Sequence, residues 1–567
     1  MKATAGRLVY ETLKSHGVRC LFGMEDPIHV FHAVDRAYTR IVTIRDEKHG
    51  AIMAHGYAQA TGRPGVCAAT FGPGASNLAT GLLEALRSSV PVIALVQDHP
   101  MRMRNRNASS ELDHQAALGP FVKSVLRIDA PEQAGDIVRS AFRIACTGRP
   151  GPVAVLCPTD VMGVEAEAET DAPDAYRHFP ANRVRAGRDE IARAAALIAD
   201  AKRPLIIAGG GCVLSGAFDE LRLLAERFSA PVATTLTGRG AIADAHPLAI
   251  GPLGGQTGGE YGRSRIGNAL LAEADLVFIL GSRTGQLCYS DWKLPKPGTK
   301  VVHLDIDPVE IGRNFRTDAP LVGDVRDTLR DLLAYCEREG LRRVDRSNGG
   351  RIAELKEEFA RRNAPLLRSS ARPIRPERVI AEIDRIVDAR TLVVADASYS
   401  TSWALSHIDV PAARRFVLSP RGTGSIGWGF AAALGAKLGD PERAVISLGG
   451  DGGFGYMMNE LETASRYGIK VLAVILNNST LGYQRHWEEK AMGKYMDCDF
   501  LDIDYAAVAR ALKCAAERVE DPDGIAAALA RGLASAGPYL VDVVVDPKVN
   551  GPVAGMDREA ALAGLSH

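Results

Sequence analysis

Residues 444–478 read AVISLGGDGGFGYMMNELETASRYGIKVLAVILNN. A buried-type apolar run ends in Gly450-Asp451-Gly452-Gly453, a helical stretch follows to Gly468, and a second apolar run ends in Asn477-Asn478. Two apolar runs separated by one helix predict a βαβ unit of a parallel sheet, buried on both faces. Ligands of such sheets sit at the carboxyl ends of the strands, which is where the glycines, the acid and the amides fall. Glycine lets the backbone approach a diphosphate and adopt turns barred to other residues, and a helix N-terminus offers it free N–H groups. Magnesium takes about six oxygens in octahedral array. Asp451 and the Asn478 amide offer two from neighbouring strand ends; the Thr480 carbonyl is placed for a third, with phosphate oxygens and water completing the shell. Gly-Asp-Gly alone reads equally well as a turn with a helix-capping Asp. The Asn pair one helix and one strand later favours the metal.

The same alternation extends in both directions. TLVVADAS at 391–398 and YLVDVVVD at 539–546 complete a C-terminal βα set. RPLIIAGGG at 203–211, APVATTL at 230–236, ADLVFILGSR at 274–283 and TKVVHLDIDP at 299–308 form a second set. IVTIRD at 41–46, GVCAATFG at 65–72, VPVIALVQD at 90–98 and GPVAVLCP at 151–158 form a third, with helical stretches at 47–62 and 75–89. The acidic, Pro-bearing stretch EAEAETDAPDAYRHFP at 165–180 reads as a linker, and the charged segment 337–375, with a polar helix RIAELKEEFARRN at 351–363, as a second connection. The pattern predicts an α/β protein of three doubly wound parallel-sheet domains, at 1–165, 185–335 and 370–550, with no short repeat.

Composition narrows the function. Lys+Arg and Asp+Glu both total 68, so no broad basic field points to nucleic acid. The nine cysteines are scattered, with no CxxC and no zinc-like His/Cys spacing; unpaired core thiols favour a reducing cytoplasm. The first 17 residues carry charges throughout and lack the apolar core of a signal peptide. No apolar run reaches the ~20 residues that span a bilayer, so a cytoplasmic protein without membrane association is expected.

Gly-Asp-Gly followed by Asn-Asn resembles the thiamine-diphosphate-binding motif. Nearly the whole chain is similar to acetohydroxyacid (acetolactate) synthase large subunits, in that family's order of pyrimidine-binding, central and diphosphate-binding domains. The resemblance implies thiamine diphosphate held through magnesium, and a carboligase or decarboxylase acting on a 2-keto acid through an enamine intermediate. A homodimer or homotetramer is implied, the glutamate of one subunit meeting the cofactor bound by another. That glutamate is Glu47, which closes the strand at 41–46 and would hydrogen-bond the aminopyrimidine ring; locally it reads only as a helix-start carboxylate. GYAQATGRPGV and TFGPGASNLATGLLEAL, downstream of it, also match the family. His49 and His55 read as solvated or core histidines.

In SPRGTGSIGWGF at 419–430, the resemblance assigns the Gly424 carbonyl to the cofactor's amino group and Ile426 to the wedge that bends it. Many synthases carry Met at that wedge. In ADASYSTSW at 395–403, Tyr399 and Ser400 replace a Gln-His pair and can each hydrogen-bond phosphate. The stretches at 209–211, 234–238, 281–283 and 305–307 match nucleotide positions that in relatives hold FAD, ADP or nothing, so FAD is among the expected occupants. The substrate pocket departs from the family: Glu25-Asp26-Pro27-Ile28 replaces a small neutral loop and Ser109-Ser110 a Phe-Gln pair, whereas Trp487 matches. Two carboxylates at the pocket rim disfavour a second anionic keto acid. A lyase or decarboxylase releasing an aldehyde, or a carboligase with an aldehyde acceptor, is therefore the alternative. An NAD oxidoreductase fits poorly, because Gly209–Gly211 lacks GxGxxG spacing. A non-catalytic assembly protein is disfavoured by retention of Glu47, Asp451 and Asn478 together.

Overall fold

A computed structural model describes residues 1–343 and 347–554. Each βα set builds a six-stranded, all-parallel sheet. The N-terminal sheet runs, edge to edge, Arg40–Val42, Cys20–Phe22, Gly65–Ala69, Val92–Asp98, Val153–Pro158, Ser124–Arg127. The central sheet runs Ala249–Pro252, Val232–Thr234, Pro204–Ala208, Leu276–Leu280, Lys300–Asp305, Ala319–Val322. The C-terminal sheet runs Val417–Leu418, Thr391–Ala395, Ala444–Gly450, Leu472–Asn477, Tyr539–Val544, Ala515–Val519. Interior strands such as Val92–Asp98 are buried along their whole length, as helices covering both faces require.

Strand order locates the ligand crevices. In the C-terminal sheet the chain leaves Thr391–Ala395 toward one edge and Ala444–Gly450 toward the other. The crevice between their carboxyl ends is a topological switch point, where α/β sheets bind ligands. The N-terminal sheet has its switch point between Cys20–Phe22 and Gly65–Ala69, and the central sheet between Pro204–Ala208 and Leu276–Leu280.

The N- and C-terminal sheets meet through helices Glu47–Thr61 and Gly429–Gly439. Two glycines allow the crossing: a Cβ on Gly56 would overlap the Ala432 carbonyl, and one on Gly435 the Met53 carbonyl. Nearly every residue of Glu47–Ala58 is buried, as in a helix apolar on all sides. His49 and His55 lie inside this contact. His49 Nδ1 sits 2.9 Å from a Glu460 oxygen, and burial beside Trp428 pulls His55 down to about 4.

Three details differ from the sequence expectations. The stretch at 165–180 is not wholly a linker: Glu165–Glu167 pairs antiparallel with Lys2–Thr4, and Phe179 is buried. The polar helix expected at 351–363 is longer, Ser347–Leu367, and it seats Ile352 in the central domain's core rather than serving only as a connection. The helix after Gly450 is broken into Asp451–Phe454 and Glu460–Tyr467, joined by turns with i→i+3 hydrogen bonds such as Tyr456 N–H to Gly453. Among the described residues, no helix is long and apolar enough to cross a membrane.

Candidate functional site

Asp451 begins where the strand Ala444–Gly450 ends, beside Asn478, which follows the adjacent parallel strand Leu472–Asn477. Asp451 is 2% exposed. Oδ1 accepts from the Asn478 backbone N–H at 3.4 Å, and no Lys or Arg pairs with it among the described residues. Burial pushes its carboxyl up to about 6. A desolvated carboxylate held only by backbone N–H groups is an electrostatic debit that a cation reverses.

Asn478 Oδ1 accepts from the Thr480 N–H at 3.2 Å. The Thr480 carbonyl accepts from the Gly482 N–H at 2.9 Å and keeps a second lone pair. Ser479 between them sits at φ +52°, which turns the chain sharply here. No three His, Cys, Asp or Glu converge among the described residues. One carboxylate, one amide and one carbonyl instead suit a hard cation that also takes oxygens from a bound phosphate. The donor set therefore fits magnesium with a diphosphate.

The other face of the crevice supplies the phosphate groups. Helix Tyr399–His407 starts there after Ser398 at φ +69°, so its first N–H groups are free for an anion. Gly450 is open: a Cβ there would meet nothing nearer than Ser400 Oγ and the Leu476 carbonyl, at 3.9 Å. Gly453 is required by packing, since a Cβ would overlap an Asp396 carboxylate oxygen, and Gly452 lies against Leu481 and Phe500. Ser400 thus faces the phosphate side of the crevice. Tyr399 does not: its hydroxyl lies 3.2 Å from His486 Nδ1, and its ring packs on Trp403, Tyr483 and His486. In this structure the Tyr399 hydroxyl is engaged by His486 and its ring supports the helix start.

Gly424, at φ +76°, and Ile426 lie in the loop at 419–428. Asp396 anchors that loop. Its buried carboxylate accepts from the N–H groups of Gly427, Trp428 and Gly429 at 3.0–3.1 Å. Sequence reasoning passed over Asp396, although an acid at a strand end just before a Ser-rich helix start was a usable signal. Trp487 is half-buried on helix Gly482–Met492, whose Tyr483 packs on Tyr399.

Glu47 stands apart from this group. It is buried, accepts from Asn77 Nδ2 at 3.0 Å, and has Gly74 alongside. Among the described residues, none of its hydrogen bonds reaches the C-terminal crevice. Its turn is clamped to helix Glu460–Tyr467 by Arg45 N–H to Glu460 and Thr43 N–H to the Tyr467 hydroxyl, both 2.9 Å. Glu25, Asp26 and Ile28 occupy the switch point of the N-terminal sheet; Glu25 and Ile28 are exposed and Asp26 is buried. The Ile28 N–H donates to Gln97 Oε1 at 3.2 Å. Ser110 abuts Gly72 on the same sheet edge, and His114 accepts the Gly72 N–H at 2.9 Å.

A cavity of about 660 Å³ opens at the switch point of the central sheet. It gathers all four stretches singled out there, with Gly210 and Gly211, Thr235 and Thr237, Gly281 to Arg283, and Asp305 in its wall. Gly209 and Gly211 pack directly on Gly281, leaving no room for a Cβ. Arg87 and Arg149 from the N-terminal domain and Arg415 and Arg421 from the C-terminal domain close it. Burial pulls Arg283 and Arg415 down to about 10 and pushes Asp305 up to about 6. So cationic a wall suits a polyphosphate.

Three family models match the chain: thiamine pyrophosphate enzyme, N-terminal TPP binding domain, at 3–118; its central domain at 191–332; and its C-terminal TPP binding domain at 396–543. The chain is 36% identical over 553 residues to a probable acetolactate synthase large subunit of Methanocaldococcus jannaschii, covering 95% of this chain and 91% of that one. It is 33% identical over 562 residues to an acetolactate synthase of Arthrospira platensis, covering 96% and 94%. It is 30% identical over 555 residues to a glyoxylate carboligase of Escherichia coli O157:H7, covering 94% and 91%.

Proposed function

The chain belongs to the thiamine pyrophosphate enzyme family, and from that premise we propose that it is a carboligase joining a 2-keto acid, after decarboxylation, to a second carbonyl compound, as an acetolactate synthase does. The observation that carries this is the buried Asp451, without a cationic partner, set against Asn478 at the switch point of the C-terminal sheet. Thiamine diphosphate, when bound, supplies a thiazolium carbon able to attack a keto group.

The chain's own residues have three tasks. Asp451, Asn478 and the Thr480 carbonyl hold magnesium, while Ser400, Gly450 and the start of helix Tyr399–His407 hold the diphosphate. The Gly424 carbonyl and Ile426 orient the two rings, a positioning effect. Glu47 would hold a proton at the ring nitrogen of the bound aminopyrimidine. Among the described residues Glu47 hydrogen-bonds within its own domain, which supports the arrangement the family resemblance implies, in which a second copy of the chain supplies the carboxylate for each crevice. Exposed apolar side chains at Tyr456, Met458, Phe500 and Leu501 beside the crevice support such a homodimer. The arginine-rich central cavity is read as a nucleotide site that admits FAD.

A second reading, an aldehyde acceptor or simple release of an aldehyde, is favoured by Glu25, exposed where relatives carry small neutral residues. The test is product analysis. Pyruvate alone should yield acetolactate under the first reading. Acetaldehyde, or hydroxyketone only when an aldehyde is added, would establish the second.

A further inference from the structure

Glu84 lies mid-helix in Ala79–Arg87 of the N-terminal domain and is fully buried. Nothing about its sequence position marks it, yet its carboxylate reaches into the C-terminal domain. Oε1 accepts from the Gly422 N–H at 2.7 Å and the Ser88 hydroxyl at 2.6 Å. Oε2 accepts from both the N–H and the hydroxyl of Thr423, each at 2.6 Å. Both oxygens are saturated by charge-assisted hydrogen bonds, the strong kind. Gly422 is a glycine because a Cβ would crowd Arg87 Cβ at 2.7 Å and Glu84 Oε1 at 2.8 Å. The same carboxylate supports the charge of Arg421, which burial otherwise disfavours.

The loop is thus pinned twice. Asp396 holds Gly427, Trp428 and Gly429 from below, and Glu84 holds Gly422 and Thr423 from the other domain. Only 424–426 lie between the pins, the residues assigned to the cofactor's amino group and ring junction. We propose that Glu84 is a positioning residue for the thiamine-diphosphate-binding loop, setting the Gly424 carbonyl and the Ile426 side chain from across the domain boundary. This rests on the role given to Gly424 and Ile426 above. Glutamine in its place keeps the shape but turns an NH₂ toward one N–H and one hydroxyl; the hydroxyl can rotate to accept, and the loop N–H is left facing a donor.

The experiment compares wild type with Glu84→Gln, Thr423→Val and Ile426→Ala. Three readouts are taken: thiamine-diphosphate half-saturation in excess magnesium, by calorimetry; hydrogen exchange of 419–428 in the cofactor-free protein; and turnover rate at saturating cofactor. Glu84→Gln should weaken cofactor binding at least about tenfold and speed exchange at 422–426, leaving exchange at 444–450 unchanged. Its rate should return to within about threefold of wild type at saturating cofactor, a split that general loss of fold does not give. Half-saturation and loop exchange within about twofold of wild type overturn the proposal. If Glu84→Gln does not fold, Thr423→Val decides: about threefold weaker binding supports the role, unchanged binding overturns it. Should Ile426→Ala weaken binding while Glu84→Gln does not, the loop keeps its assigned role and Glu84 loses its own. If neither variant shifts binding, both fall.

Discussion

Replacing Asp451 by Asn should make the empty protein more stable at neutral pH while removing its cofactor. Burial holds the carboxyl at about 6 against an ordinary 3.8, a shift of about two units. At ~1.4 kcal/mol per unit, the ionised group costs the empty fold up to about 3 kcal/mol. The sign follows from proton affinity. The folded state binds this proton more tightly than the unfolded chain, so the stabilisation from protonation is complete below about pH 4 and is lost as pH rises to about 6. Asn keeps the shape and carries no charge. After its amide's own desolvation, a net gain of ~1–2 kcal/mol is expected at about pH 8, roughly a 5- to 30-fold change in opening equilibrium. A three-domain chain does not unfold in one step, so the assay is hydrogen exchange of 444–450 in cofactor-free wild type and variant, paired at each pH. The variant's extra protection at about pH 8 should shrink by more than half near pH 4.5. Calorimetry in excess magnesium should detect no thiamine-diphosphate binding by the variant, and wild-type binding should fall below about pH 6 as protons compete with the metal. An Asn variant no better protected at about pH 8, or one that binds cofactor as wild type does, refutes the reasoning.

Glu47→Gln should still bind cofactor but exchange the reactive thiazolium proton more than tenfold more slowly, ~1.4 kcal/mol or more; proton exchange followed by NMR with turnover inside that limit removes Glu47 from its role. Tyr399→Phe should leave cofactor affinity within about twofold, whereas Ser400→Ala should weaken it by about three- to tenfold; titration of both variants distinguishes aromatic support from a phosphate contact. Sedimentation should find the active species to be at least a dimer, and an active monomer would contradict the shared site. Glu25→Gly combined with Asp26→Gly should raise acetolactate relative to aldehyde-derived hydroxyketone about fivefold, from ~1 kcal/mol for the one solvated carboxylate, Glu25, Asp26 being buried; an unchanged product ratio means neither carboxylate screens the acceptor.

The sequence by itself determined the three parallel sheets and the crevice where Asp451 and Asn478 meet, because both are written locally. Interior strands are buried on both faces, so 92–96, 153–158, 276–280 and 472–476 appear as unbroken apolar runs. Asp451 and Asn478 stand at the ends of two such runs, one helix apart, and a βαβ unit brings consecutive strand ends together without further information. Tertiary structure decided everything whose partner is distant or whose burial is partial. Edge strands Ser124–Arg127 and Ala515–Val519 mix polar and apolar residues, and Ala319–Val322 alternates buried and exposed positions, because only one side is covered. Glu165–Glu167 is a strand only because Lys2–Thr4 lies beside it. The Tyr399 hydroxyl could have met phosphate or His486, and packing against the helix Gly482–Met492 chose His486. Glu84 reaches Thr423 across 339 positions of chain. Its neighbours in sequence carry no sign of that bond, because a buried carboxylate is defined by the donors that converge on it, and those are gathered only when two domains close together.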